Sequence, residues 1–190
     1  QAAHAGLDAK LRILDVASQR EVATIDEGFW KTHECAWSPD GKSVAFTASK
    51  SEGGAKTKME TYVASPDGRR VRAVCGGLTQ ISWAPDSKSI AGLDGTRVVI
   101  VEVATGKAAV VTEGVSPRIS PDGKRVAVVK EEAVVVLDLD GKNERRIARG
   151  RAPAWGPDGR IAMFDGEELK VVSLDGAVMK LGEAKAFSWR

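Results

Sequence analysis

The sequence predicts an all-β fold: a five-bladed β-propeller of four-stranded blades, one domain spanning residues 1–190. Three observations predict it. A Trp-x-Pro-Asp phrase recurs at near-constant spacing, short β-rich runs fill the intervals, and the two chain ends complement each other. The phrase reads Trp37-Ser38-Pro39-Asp40-Gly41-Lys42, Trp83-Ala84-Pro85-Asp86-Ser87-Lys88, Ile119-Ser120-Pro121-Asp122-Gly123-Lys124 and Trp155-Gly156-Pro157-Asp158-Gly159-Arg160. Its prolines lie 46, 36 and 36 residues apart, a period found in propeller blades and solenoid coils. Phe187-Ser188-Trp189 begins a further copy and stops where its turn would start.

Each interval holds strands. After the Pro-Asp-Gly turn come Ser43 to Thr47, Ile90 to Leu93, Arg125 to Val129 and Ile161 to Phe164. Third strands follow at Arg97 to Val103, Ala133 to Leu139 and Leu169 to Leu174, and outer strands at Lys107 to Val111 and Arg145 to Ala148. Val, Ile and Leu dominate these runs. The turns between them carry Asp-Gly at Asp67-Gly68, Asp140-Gly141 and Asp175-Gly176, where Asp bonds locally and Gly accepts a positive φ. Four strands in about 36 residues make a propeller blade, and no stretch sustains a helical period.

The ends supply the blade count. His4-Ala5-Gly6-Leu7-Asp8 matches Ile90-Ala91-Gly92-Leu93-Asp94, and Ile13 to Ser18 matches Ile100 to Thr105. The N-terminus therefore provides the second, third and fourth strands of a blade whose first strand is residues 186–190. The blades fall at about 34–80, 81–116, 117–152, 153–185, and 186–190 with 1–33. Sharing a blade between the termini would close the ring and remove its open sheet edges. A fragment cut mid-blade from a larger array is the alternative.

Composition excludes several classes. With 28 basic and 26 acidic residues the net charge is +2, and the basic residues are dispersed, which is no footprint for nucleic acid. No window reaches the length of a membrane-spanning helix, and no signal peptide is read at the start. Cys35 and Cys75 have no zinc-site spacing; two strands between them put them about 14 Å apart, so free thiols are expected. His4 and His33 are the only histidines, too few for a histidine-rich metal centre.

Trp-Ser-Pro-Asp-Gly-Lys followed by a Val-Ala-Phe strand, with a later Leu-Asp-Leu-Asp-Gly turn, resembles the WD-repeat-like propeller repeat of the TolB family. The resemblance covers essentially the whole chain. It implies a bacterial, extracytoplasmic (periplasmic or secreted) setting and a role in binding other proteins. The chain departs from TolB in having room for five blades rather than six, with no preceding α/β domain.

The repeat residues themselves read as structural. Asp40, Asp86, Asp122 and Asp158 sit in turns where a carboxylate caps backbone N–H groups. Trp37, Trp83, Trp155 and Trp189 supply large apolar area between blades. One Asp per turn cannot converge on a calcium ion, so no metal or other cofactor is expected.

Function is sought where regularity breaks. The first interval is ten residues longer, with the surplus near Ser49 to Lys58, and Asp26 to Glu34 is a second irregular stretch. Alternating strand direction puts both on one face, beside the channel mouth. Phe29 and Trp30 are candidate apolar anchors there, with His33 nearby; a plug folded over the blade is the equal alternative. Lys50, Lys56, Lys58, Arg149 and Arg151 would form a basic rim, with Arg118 and Lys185 at inner-strand entries adding to it. Acidic proteins or anionic small ligands at the mouth would suit that rim.

Enzyme classes are disfavoured. Only Glu34 is acidic among the inner-strand entries, whereas a glycosidase needs paired carboxylates. No Gly-x-Ser-x-Gly elbow is present. The sequence thus predicts a non-catalytic, monomeric, protein-binding propeller without nucleic-acid or membrane partners. A lectin-like propeller for small ligands or glycans, and an engineered or excised propeller without a native partner, are the competing classes.

Overall fold

The computed structural model describes residues 2–5, 10–50 and 58–185. Every regular element among them is a strand, and the strands form five antiparallel sheets. The first sheet is β1 (Ala2–Ala5), β2 (Leu11–Asp15) and β3 (Arg20–Ile25). The second is β4 (Phe29–Trp37), β5 (Val44–Lys50), β6 (Lys58–Ala64) and β7 (Val71–Gly76). The third is β8 (Thr79–Trp83), β9 (Ser89–Asp94), β10 (Arg97–Glu102) and β11 (Ala108–Glu113). The fourth is β12 (Val115–Ile119), β13 (Arg125–Lys130), β14 (Ala133–Asp138) and β15 (Arg145–Arg149). The fifth is β16 (Arg151–Trp155), β17 (Ile161–Asp165), β18 (Glu168–Val172) and β19 (Val178–Glu183).

In the four complete sheets the first strand is innermost, and β4, β8, β12 and β16 pack against one another in that order. The N-terminal sheet joins the series where β1 lies against β4 and the Cys35 thiol donates to the Ala3 carbonyl at 3.3 Å. Its turn identifies its strands. Ser18 bonds Asp15 as Thr105 bonds Glu102, which makes β2 a third strand like β10. The first strand expected for this blade, residues 186–190 with Trp189, lies outside the described residues.

The core is divided among the seams between sheets. Leu11, Ile13 and Ile25 of the N-terminal sheet pack on Val44, Phe46 and Tyr62 of the next. Ala45 and Val63 meet Trp83, Ile90 and Val101 at the second seam, and Leu93 and Val98 meet Val126, Val128 and Leu137 at the third. Val134 and Val136 meet Ile161, Met163 and Val172 at the fourth. Each fully buried Val, Leu, Ile or Phe stabilises the fold by about 1.5–3 kcal/mol. This is why the apolar positions of the second and third strands are the most regular part of the repeat.

The Pro-Asp-Gly turns have a common hydrogen-bond pattern. The carboxylates of Asp40, Asp86, Asp122 and Asp158 each accept the backbone N–H two residues on, at 2.9–3.1 Å. Where Ser precedes, its hydroxyl also donates to the Asp, as Ser38 does to Asp40 and Ser120 to Asp122. The turns after the third strands of the third and fourth sheets tuck against the preceding sheet. Gly141, at φ 83, brings its Cα so close to the preceding blade that a Cβ would lie 2.6 Å from the Val111 carbonyl.

Repeat tryptophans tie inner strands together. The Trp83 indole donates to the Ala36 carbonyl at 2.9 Å and that of Trp155 to the Arg118 carbonyl at 2.8 Å, each reaching back one blade. Ile119 replaces Trp in between. The Trp37 indole N–H is buried and has no partner among the described residues. Cys35 and Cys75 are free and lie on the first and fourth strands of one sheet, with two strands between them.

Candidate functional site

Alternating strand direction sorts the connections onto two faces. The Pro-Asp-Gly turns and the turns after the third strands emerge on one. The starts of the inner strands, the hairpins joining second to third strands and the blade-to-blade links emerge on the other, around the channel mouth. The second sheet extends furthest there. Its β4 has nine residues where other complete sheets have five in the inner strand, and β5 and β6 have seven each. The connecting residues 51–57, including Lys56, lie outside the described residues.

A bulge recurs near the start of each inner strand, and it creates the site's most ordered polar feature. Gln80, Ser116 and Ala152 stand at φ 57, 55 and 50, the left-handed region, where β8, β12 and β16 shift register against their partners. At this position the side chains of Glu34 and Gln80 reach to the next blade. Glu34 accepts from the Gln80 and Ile81 N–H groups at 2.6 and 3.1 Å, and the Gln80 amide oxygen accepts from the Ser116 N–H. Ala152 has no side-chain oxygen to continue the ladder.

Arg118 stands two residues past the bulge of β12. Its guanidinium donates to the Pro117 carbonyl at 2.8 Å. Burial lowers its pKa, and the Glu34 charge opposes that shift.

The other expected residues are placed as follows. Phe29 is turned inward at 8 % exposure, edge-on to Phe46 and Tyr62, with the Lys50 ammonium 5.0 Å from its ring centroid. Its ring therefore belongs to the seam with the N-terminal sheet and offers no apolar anchor to a partner. Trp30 follows it in β4, and its side chain lies outside the described residues. His33 is exposed, with Nε2 3.4 Å from the Ser49 hydroxyl. Lys58 pairs with Glu60 at 2.7 Å, and Arg149 with Glu132 at 3.0 Å and Asp165 at 3.9 Å. Arg151 donates to the Gly166 carbonyl and covers the Phe164 ring at 5.4 Å. Lys185 is exposed. Of the expected rim cations, Lys58 and Arg149 thus stand beside carboxylates. Between the fourth and fifth sheets, Val129, Phe164, Arg149 and Arg151 line a groove of about 370 Å³ on this face.

Among the described residues no group of three or more His, Cys, Asp or Glu side chains is arranged to hold a metal ion. Residues 16–155 match the family model described as the lipoprotein LpqB β-propeller domain. The chain belongs to that family. No curated protein sequence matches it. Among solved structures, one of an Agrobacterium tumefaciens protein assigned as a TolB superposes with a TM-score of 0.70 at 19% identity, covering 96% of this chain and 79% of that one. At that identity the likeness is one of fold.

Within the LpqB-type propeller, Gln80 and Ser116 are the site residues that reading the sequence missed. A signal for them exists. Glu34, Gln80, Ser116 and Ala152 each stand five residues before a repeat proline, so they occupy one structural position. Three polar residues in four copies at one innermost position mark a ladder that no single residue reveals.

Proposed function

We propose that this LpqB-type propeller is a non-catalytic scaffold that binds a partner protein through its channel-mouth face, in an extracytoplasmic setting. In this reading it acts as a monomer, a ring closed by residues 186–190 as the inner strand of the N-terminal blade. The observation that carries the binding face is the extended second sheet, among the described residues the one place where the repeat grows beyond its neighbours, and it grows toward the channel mouth. Loops and hairpins raised on a rigid scaffold commonly carry recognition. The family description supports the setting, since it names a lipoprotein, and the TolB likeness supports the scaffold reading.

Closure is supported by the unpartnered Trp37 indole. Trp83 and Trp155 each donate to the carbonyl one residue before the repeat position of the preceding blade, Ala36 and Arg118. Trp37 occupies the same repeat position, so its far side is the place where a further inner strand would offer such an acceptor.

The binding face is tested by immobilising the wild-type chain and a His33→Ala/Lys58→Glu/Arg151→Glu variant and comparing what each retains from an extracytoplasmic extract. Retention of a protein by the wild type and its loss in the variant is the expected outcome. Equal retention by both would overturn the choice of face, and retention only on immobilised glycan would favour a lectin-like role.

A further inference from the structure

A cleft between the second and third sheets opens on the opposite face. We propose that this cleft binds an extended acidic segment of a partner protein, with carboxylates on alternate residues and small aliphatic side chains between them. Lys42, Arg69, Arg70 and Arg72 line a groove of about 570 Å³ there, and no lining residue is acidic. Its floor is aliphatic, from Val63, Val71 and Val103.

Comparison with the equivalent cleft between the fourth and fifth sheets brings out what is unusual. That cleft contains Asp138 and Asp175 beside Arg125 and Arg145. The strand registers Val44↔Ala64 and Val126↔Leu137 make Ser65 the counterpart of Asp138 and Arg70 the counterpart of Asn143. Ala104 stands where the other cleft has Asp175. Both carboxylates have gone, while Arg70 offsets the loss of Arg125, whose counterpart is Ser43, so a balanced cleft has become a basic one. Several exposed cations elsewhere are paired, as Arg97 is with Asp94 at 2.5 Å and Arg160 with Asp158 at 2.6 Å. The carboxylates closest in sequence are held in their own turns: Glu102 accepts from the Thr105 hydroxyl at 2.6 Å, and Asp40 and Asp67 accept from the Lys42 and Arg69 N–H groups, with Asp67 also 3.8 Å from the Arg69 guanidinium.

The geometry selects the ligand. Arg70 and Arg72 are two residues apart on an extended segment, so their attachment points are about 6.8 Å apart, the spacing of alternate side chains on an extended peptide. Guanidinium groups bind carboxylates through paired N–H donors. Among the described residues the groove has no aromatic side chain on which a base could stack, which disfavours single-stranded nucleic acid. Arg72 is held from behind by a bond from its Nη2 to the Val103 carbonyl across the cleft, which sets its head group in place before a ligand arrives.

The test is fluorescence anisotropy with a short labelled peptide of alternating Glu and Val, a Gln-Val peptide, and a single-stranded oligonucleotide. The wild type is expected to bind the Glu-Val peptide alone, more weakly as salt rises toward about 0.15 M. Lys42→Glu with Arg70→Glu, two side chains outside the cross-blade bond, should weaken binding roughly tenfold or more. The pair Lys124→Glu with Arg145→Glu, at the equivalent cleft between the fourth and fifth sheets, should leave it unchanged. A Lys-Val peptide that binds the Lys42→Glu/Arg70→Glu variant would show that the variant is folded and the cleft intact. Absence of Glu-Val binding at low salt, equal loss in both variants, or tighter binding of the oligonucleotide would each overturn the proposal. The proposed channel-mouth contact lies on the other face, so either site can fail without the other.

Discussion

Glu34 is the side chain whose removal should most clearly test how the blades are held at the axis. Its two carboxylate oxygens accept the Gln80 and Ile81 N–H groups of the next blade, at 2.6 and 3.1 Å, across a bulge where Gln80 stands at φ 57. Neither donor is otherwise part of a regular ladder at that point, because β8 shifts register there. A hydrogen bond to a charged group is worth about 1.5–3 kcal/mol net. Glu34 is only partly buried, so water recovers part of each bond, and Glu34→Ala should cost about 2–3 kcal/mol in all. For a domain of this size that lowers Tm by about 5–10 °C. Glu34→Gln keeps one acceptor but turns an amide NH2 toward the second donor, and should lose about half as much. Urea unfolding monitored by tryptophan fluorescence would measure both, with the exposed Glu113→Ala as control, for which a change within about 0.5 kcal/mol is expected. A loss below about 0.5 kcal/mol for Glu34→Ala would refute the view that this ladder couples the blades.

Acid sensitivity should come from the turns. The Ser120 hydroxyl and, next, the Lys124 N–H hold the Asp122 pKa below its ordinary 3.8, so its contribution is complete above that value and is lost as pH falls through the lower folded value. Asp122→Asn should therefore flatten part of the fall in stability below about pH 4, read from melting curves at stepped pH; an unchanged slope would contradict it. Gly141→Ala should destabilise by about 2–3 kcal/mol, combining a positive φ with the Val111 carbonyl, while Gly176→Ala at φ 96 in open space should cost only about 1 kcal/mol. Equal losses in urea unfolding would remove the contact from the explanation. Deleting residues 186–190 should cause self-association or unfolding, seen by light scattering and calorimetry. In the deleted chain Trp37→Phe should then cost less than in the full chain, and a monomeric deletion variant with unchanged Tm would sink the closure proposal.

The repeat made the fold legible because propeller geometry leaves local marks. Pro39, Asp40 and Gly41 define one turn and Val44 to Phe46 one strand, and the other copies carry closely similar marks, with Ser87 in place of the glycine in the second. The site was less legible because its residues are defined by what neighbouring blades bring to them. Phe29 stands in an aromatic pair that resembles an exposed anchor, yet strand pairing turns its ring onto Phe46 and Tyr62. Arg149 looked like a rim cation, and the hairpins carrying Glu132 and Asp165 neutralise it, a pairing set by blade geometry rather than by sequence proximity. Glu34 was visible only as a lone acid until Gln80 and Ser116 showed that its position is a ladder. The basic cleft was hidden for a similar reason, since the change that creates it is the absence of acids at Ser65 and Ala104.

The functional account stands most directly on which face meets a partner. A photo-reactive residue placed at position 33 or 58 samples the channel mouth, and one at position 158 samples the Pro-Asp-Gly face away from the basic cleft; all three native side chains are exposed. In an extracytoplasmic extract, positions 33 and 58 should give a covalent adduct with the same protein and position 158 none. An adduct formed from position 158 while 33 and 58 stay unmodified would contradict the account.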